Sequence, residues 1–173
     1  MKTARFLPLA ALLAWAVLAA GCAAPFSEEL LRQSDRSVTV DMVLASPDAH
    51  RNALVTWGGV LLNTRPREKY TSLEVSERPL DSRSRPRDEN LSRGRFMARY
   101  NGFLDPTVFS HGKNVTVVGR VTGTETGRIG DYEYTYPVVT IEEYHLWEVR
   151  EDYGPPPPPN YPCSPFWGPW WRY

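Results

Sequence analysis

Between Leu54 and Trp147 the chain repeats one signal, a run of β-forming residues closed by a turn, and that succession limits the fold more than any other feature. The segment 54–63, LVTWGGVLLN, is rich in β-formers but sets Gly58 and Gly59 side by side. Paired glycines inside a strand mark a bulge or a sharp bend, so we read one strongly bent strand. In TSLEVSERPL, Leu73 and Val75 alternate with Ser72, Glu74 and Ser76. In GRFMARYNG, Phe96, Ala98 and Tyr100 alternate with Arg95, Met97 and Arg99. A two-residue period of this kind belongs to strands buried on one face. KNVTVVGRVTG and YTYPVVTIEEYHLWEV supply two further strands, with TETGRIGDYEY as a glycine-punctuated connection between them. The stretch 81–94, DSRSRPRDENLSRG, is polar and aperiodic and reads as a long loop.

Two short helices interrupt the pattern. Val40, Val43 and Leu44 fall at helical spacing ahead of Pro47 and Asp48. FLDPTVFSHGK offers Asp105 as an N-cap, Pro106 in the first turn and Gly112 as a stop. Three strands, a short helix and two more strands, the first strand bent, is the order of an OB-fold, a small Greek-key barrel that closes its own edges. The expected class is mainly β: an OB-fold-like barrel of five to six strands with one or two short helices.

The ends of the chain have a different character. Lys2 and Arg5 precede an apolar run from Phe6 to Ala20 that ends in small residues, the three-part layout of a secretory signal and shorter than a membrane-crossing helix. Leu18-Ala19-Ala20-Gly21-Cys22 resembles the lipobox of bacterial lipoproteins, in which the cysteine sulfur receives a diacylglycerol, the signal is cut and the new amino terminus is acylated. Here the leucine stands one place further from the cysteine than in most lipoboxes. The resemblance assigns lipidation to Cys22, and Ala23 in place of an aspartate implies sorting to the outer membrane. The alternative for Cys22 is a disulfide with Cys163, the other cysteine of the chain. At the far end, GPPPPPNYPCSPFWGPWWRY combines a polyproline spacer with Trp167, Trp170 and Trp171, rings suited to a bilayer interface, to sugars or to a partner. Plain disorder is the competing reading of this tail. The expected segments are a signal over 1–21, a lipidated tether over 22–37, the barrel over 38–150 and the tail over 151–173.

Little in the sequence points to catalysis or a cofactor. His50, His111 and His145 lie in three different elements without metal-ligand spacing, and there is no HExxH, CxxC or G-x-S-x-G. Glu142 and Glu143 are neighbours on a strand and point to opposite faces. No enzyme activity, cofactor or metal is expected. Balanced charge, with 20 basic and 20 acidic residues, argues for no polyanionic partner overall, and an exported chain does not meet nucleic acid. The most distinctive charged feature is a set of arginines in the loop and the strand after it. Arg83, Arg85, Arg87, Arg95 and Arg99 are candidate ligand-binding residues for an anionic glycan, lipopolysaccharide or lipid; the bland reading is a solvated loop, because Asp81, Asp88 and Glu89 are interleaved.

VTWGGVLLN, LEVSERPLD, GRFMARYNGFLDP, NVTVVGRVTG, YTYPVV and YHLW together, in order and spacing, resemble the Slp family of bacterial outer-membrane lipoproteins over residues 38 to 149. The resemblance implies a protein held in the outer membrane by its acyl chains, facing the periplasm and linked to starvation or acid stress, with no assigned catalytic residue or ligand. It leaves three readings of activity. The first is a non-enzymatic structural or interaction role with an envelope protein, peptidoglycan or lipopolysaccharide. The second is a ligand-binding module using the arginine loop, and the third is an envelope hydrolase built around Asp105 and a histidine.

Overall fold

The computed structural model describes residues 25–88 and 91–148; Cys22, Cys163, Trp167, Trp170 and Trp171 lie outside the described residues, as do the signal and the tail. Two helices, α1 (Glu28–Gln33) and α2 (Val40–Ala45), and a 3-10 turn (Asp48–His50) precede five strands: β1 (Leu54–Pro66), β2 (Thr71–Glu77), β3 (Arg95–Tyr100), β4 (Asn114–Ile129) and β5 (Tyr132–Trp147). The strands close into a barrel in the order β1-β2-β3-β5-β4. β3 and β5 run parallel, Met97–Arg99 against Val138–Thr140, and the other pairs are antiparallel. The five-stranded barrel, the bent first strand and the helix ahead of it follow the sequence reading.

Closure depends on β1 serving two neighbours. Leu54–Val60 pair with β4 and Gly59–Pro66 with β2, so Gly59 and Val60 face a partner strand on both sides. A Cβ on Gly59 would stand 1.8 Å from the Ser76 carbonyl oxygen, and one on Gly58 would stand 2.8 Å from that of Val115. These glycines therefore admit a close backbone approach. The register irregularity expected of them falls further along, between Leu61 and Asn63.

The inward faces supply the core. Val55, Trp57, Leu73, Val75, Phe96, Val117 and Val139 share one buried cluster, with the Trp57 and Phe96 rings edge to face at 5.3 Å. One end of the barrel is plugged by Val40 and Val43 of α2. Leu104 and Phe109 plug the other. They come from the β3–β4 connection, where the expected helix is absent. The Asp105 carboxylate accepts the Thr107 N–H at 2.8 Å, and its carbonyl accepts those of Val108 and Phe109, but the turn does not propagate. The Thr64 hydroxyl takes the Phe109 carbonyl at 2.7 Å, and the Thr71 hydroxyl takes the Gly102 carbonyl and the Leu104 N–H. The Thr64 hydroxyl thus takes up the Phe109 carbonyl that a further helical turn would have used, and Thr71 fixes the chain just ahead of Asp105.

Two other segments depart from the sequence reading. The stretch read as a connection, TETGRIGDYEY, is the far half of a long β4–β5 hairpin turned at Gly130 and Asp131. Gly123, at φ +136°, accommodates a register irregularity without ending β4, and Gly130, at φ +59°, takes the left-handed position of the turn. The polar tether, in turn, is folded from Phe26 onward. Phe26 is only 4% exposed against Leu54 and Val118, with Leu30, Leu31 and Trp147 packed around them. The Ser27 N–H donates to Glu143 at 3.0 Å and the Asp35 N–H to the Leu54 carbonyl at 2.8 Å.

Gly59→Ala should destabilise the barrel by about 3 kcal/mol or more, because backbone has to move. Gly123→Ala, with open space around the position, should cost about 1 kcal/mol through its φ alone. Urea unfolding of the two variants checks the order.

Candidate functional site

The outer face of β2 and β3 carries Ser72, Glu74 and Ser76 beside Arg95, Met97 and Arg99. In OB-type barrels the face of these two strands is a common ligand surface. Here the β4–β5 hairpin covers it. The Tyr136 hydroxyl donates to the Glu74 carboxylate at 3.2 Å, and the Arg95 guanidinium donates to the same oxygen at 2.9 Å. The Tyr134 hydroxyl accepts the Arg95 N–H at 3.0 Å. Arg99 pairs with Glu125 and lies 5.3 Å over the Tyr70 ring. Met97 packs beneath Tyr136 and Val138. Burial, and after it the charge of Glu74, pushes the Tyr136 hydroxyl above its ordinary pKa and keeps it a proton donor. Arg95 and Arg99 therefore hold the hairpin down.

Arg83, Arg85 and Arg87 lie elsewhere. Their connection folds back over β1 and β4, fixed by a Leu80–Pro86 bridge and by the Thr116 hydroxyl donating to the Ser84 carbonyl at 2.7 Å. Asp81 accepts the backbone N–H groups of Arg83 and Arg85, each at 2.8 Å. The Arg85 guanidinium stacks 5.5 Å from the Trp147 ring and donates to the Glu148 carbonyl at 3.1 Å. Arg83 and Arg87 are exposed, and the Arg87 N–H donates to Pro79. The fold thus divides the arginine set between two surfaces. His145 packs its ring against Phe26 and Trp147, and His111 contacts the Leu62 carbonyl at 3.0 Å. Glu142 pairs with Arg120 at 2.8 Å, whereas Glu143 holds Ser27. Asp105 is occupied by its own turn.

A concave feature lies at the α2 end of the barrel, a pocket of 220 Å³ lined by Arg36, Thr56, Trp57, Glu77, Leu80 and Arg93 among others. Four elements converge to make it. The segment ahead of α2 brings Arg36, whose guanidinium donates to Ser84 at 2.9 Å, and Val38, whose carbonyl accepts the Trp57 indole N–H at 2.8 Å. Glu77 closes β2 at 7% exposure, its carboxylate accepting the Arg93 backbone N–H at 3.2 Å. Burial raises the Glu77 pKa, opposed by that hydrogen bond and the charge of Arg93 and reinforced by Asp41. Sequence alone did not single out Glu77. It continues the inward series Thr71, Leu73, Val75, and a charged residue in a core-facing position was the available signal.

The family model for the outer membrane lipoprotein Slp family matches residues 19–173. The chain belongs to the Slp family. It is 36% identical over 131 residues to the uncharacterized lipoprotein YeaY of Escherichia coli K12, covering 76% of this chain and 67% of that one. To the outer membrane protein Slp of the same organism it is 30% identical over 135 residues, covering 78% and 71%. An uncharacterized Haemophilus influenzae protein is 38% identical over 103 residues, 59% of this chain and 56% of the other. Among solved structures, a small single-stranded DNA-binding protein from Streptomyces coelicolor aligns with a TM-score of 0.36 at 13% identity, over 55% of this chain and 94% of its own. Schizosaccharomyces pombe Pot1pC bound to single-stranded DNA aligns at 0.29 and 12%, over 59% and 82%. Neither likeness bears on what this Slp-family chain binds.

With its folded-state pKa raised, Glu77 contributes stability that is present below the ordinary carboxylate range and is lost as the pH rises through the folded value. Glu77→Gln should therefore melt a few degrees higher than the parent at pH 7, with the advantage closing as the pH falls through the raised folded value and gone below the ordinary 4.5. Melting curves across pH, read by circular dichroism, check this.

Proposed function

We propose that the chain is a non-enzymatic module anchored in the outer membrane through acyl chains on Cys22, faces the periplasm, and acts by interaction with envelope components during starvation or acid stress. Membership of an outer-membrane lipoprotein family supports the compartment. One observation carries the mode of action: Phe26 is buried on the barrel, four residues after Cys22. A chain extends at most about 3.6 Å per residue, so the acylated sulfur sits within about 14 Å of the docked phenylalanine. Two or three acyl chains make dissociation from the bilayer negligible. The barrel then stays at the lipid surface, and what it engages is membrane-proximal. Its β2–β3 face is occupied by its own hairpin, which directs interaction to the remaining surfaces, the exposed arginines Arg83 and Arg87 included.

Cys22→Ser should move the protein from the detergent-extracted membrane fraction to the soluble periplasmic fraction, with the barrel still folded. Retention in the membrane would refute the anchor. Immunoblots through carbon starvation and through a shift to acidic medium should show its abundance rising several-fold; a constant level would remove the stress link.

A further inference from the structure

The pocket at the α2 end holds both signs of charge without uniting them. Among the described residues Arg36 and Arg93 form no ion pair with a carboxylate, although both line the same 220 Å³ space as the Glu77 carboxylate. The Arg36 side chain is steadied by Ser84, and Glu77 by a single backbone N–H. A carboxylate buried to this depth costs free energy unless something positive meets it, and here only that N–H and the charge of Arg93, short of an ion pair, offset the burial. The apolar walls, Trp57 and Leu80 with Val38, are fixed from behind: the indole is tied to the Val38 carbonyl and stacked on Phe96.

From this arrangement we infer that the pocket binds a small zwitterion, its primary ammonium on Glu77 and its phosphate or carboxylate on Arg36 and Arg93. A simple anion would satisfy the guanidiniums and leave Glu77 repelling it. A simple cation would satisfy Glu77 and face two like charges. A molecule bearing both groups answers each, and its short carbon spacer lies along Trp57. Arginine matches either oxyanion with paired N–H donors. The space accommodates an ethanolamine phosphate or a single amino acid. Two sources carry this chemistry, a phosphoethanolamine lipid headgroup and a free amino acid. The inference concerns the folded barrel and does not depend on Cys22 being acylated.

The test uses the full chain in detergent micelles, titrated separately with O-phosphoethanolamine and D-alanine, and with ethanolamine and inorganic phosphate as the two halves. The Trp57 indole N–H resonance and calorimetry report binding. At least one zwitterion should bind about tenfold or more tightly than either half, and Glu77→Gln and Arg93→Gln should each weaken it by a similar factor. Tighter binding of O-phosphoethanolamine assigns the headgroup source, and tighter binding of D-alanine the amino-acid source. Glu77→Gln is isosteric; its far-ultraviolet spectrum establishes that it folds, and the more peripheral Arg36→Gln, expected to weaken binding likewise, serves as a second variant. The inference is overturned if neither zwitterion binds at tens of millimolar, if phosphate alone binds as tightly, or if a folded Glu77→Gln chain binds like the parent.

Discussion

The barrel exists because one strand is hydrogen-bonded to two partners at once. Where β1 leaves β4 for β2, the backbones of Gly59 and Ser76 approach so closely that no side chain fits between them. The other features follow from that contact. It bends β1 enough for the sheet to meet itself, so there is no free edge between β1 and its neighbours to recruit a foreign strand. It turns Trp57 and Leu61 inward against Phe96 and Val75. It also leaves two open ends, which the chain plugs with α2 on one side and with Leu104 and Phe109 on the other.

An OB-type barrel ordinarily offers the face of its second and third strands to ligands, and this protein has given that face to its own hairpin. The cover is polar as well as apolar. Glu74 accepts hydrogen bonds from the Tyr136 hydroxyl and the Arg95 guanidinium together, and Glu125 reaches Arg99. Charge-assisted bonds of this kind, partly buried, hold more strongly than fully exposed pairs. Here that face is taken up by internal contacts, and the pocket that holds Arg36, Glu77 and Arg93 lies at the opposite pole from the Leu104–Phe109 plug.

The strands were legible because their alternation reports burial directly: Leu73, Val75, Phe96 and Ala98 are inside as their spacing requires. Helix signals were weaker guides. Asp105, Pro106 and Gly112 supply every local cue for a helix, yet the hydroxyl of Thr64, distant in sequence, claims the Phe109 carbonyl, and Thr71 pins the chain just ahead of it. Gly123 and Gly130 look alike as letters but one sits within a strand and the other turns it. The folded part of the tether had a signal in FSEELLRQ, with Glu28 and Glu29 in the first turn, Arg32 in the last and Leu30 and Leu31 between, although six helical residues are too few to stand out. The arginines do not share one surface: composition records that they are near in sequence, whereas the fold sends Arg83, Arg85 and Arg87 over β1 and β4 and keeps Arg95 and Arg99 on β3. Glu77 was hidden by its neighbours, since one acidic letter at the end of a good strand reads as the start of a loop.

The seating of Phe26 has an effect on thermodynamics as well as on position. A domain on a long flexible leash samples a deep volume, and a weak surface contact made there is rarely revisited. Were the leash the proposed anchor at Cys22, four residues before Phe26, the same domain would meet the surface at an effective concentration in the millimolar range or above. Affinities too feeble to detect between free molecules then become sufficient, and evolution can tune occupancy by lengthening or shortening that small stretch of chain without altering a single contact.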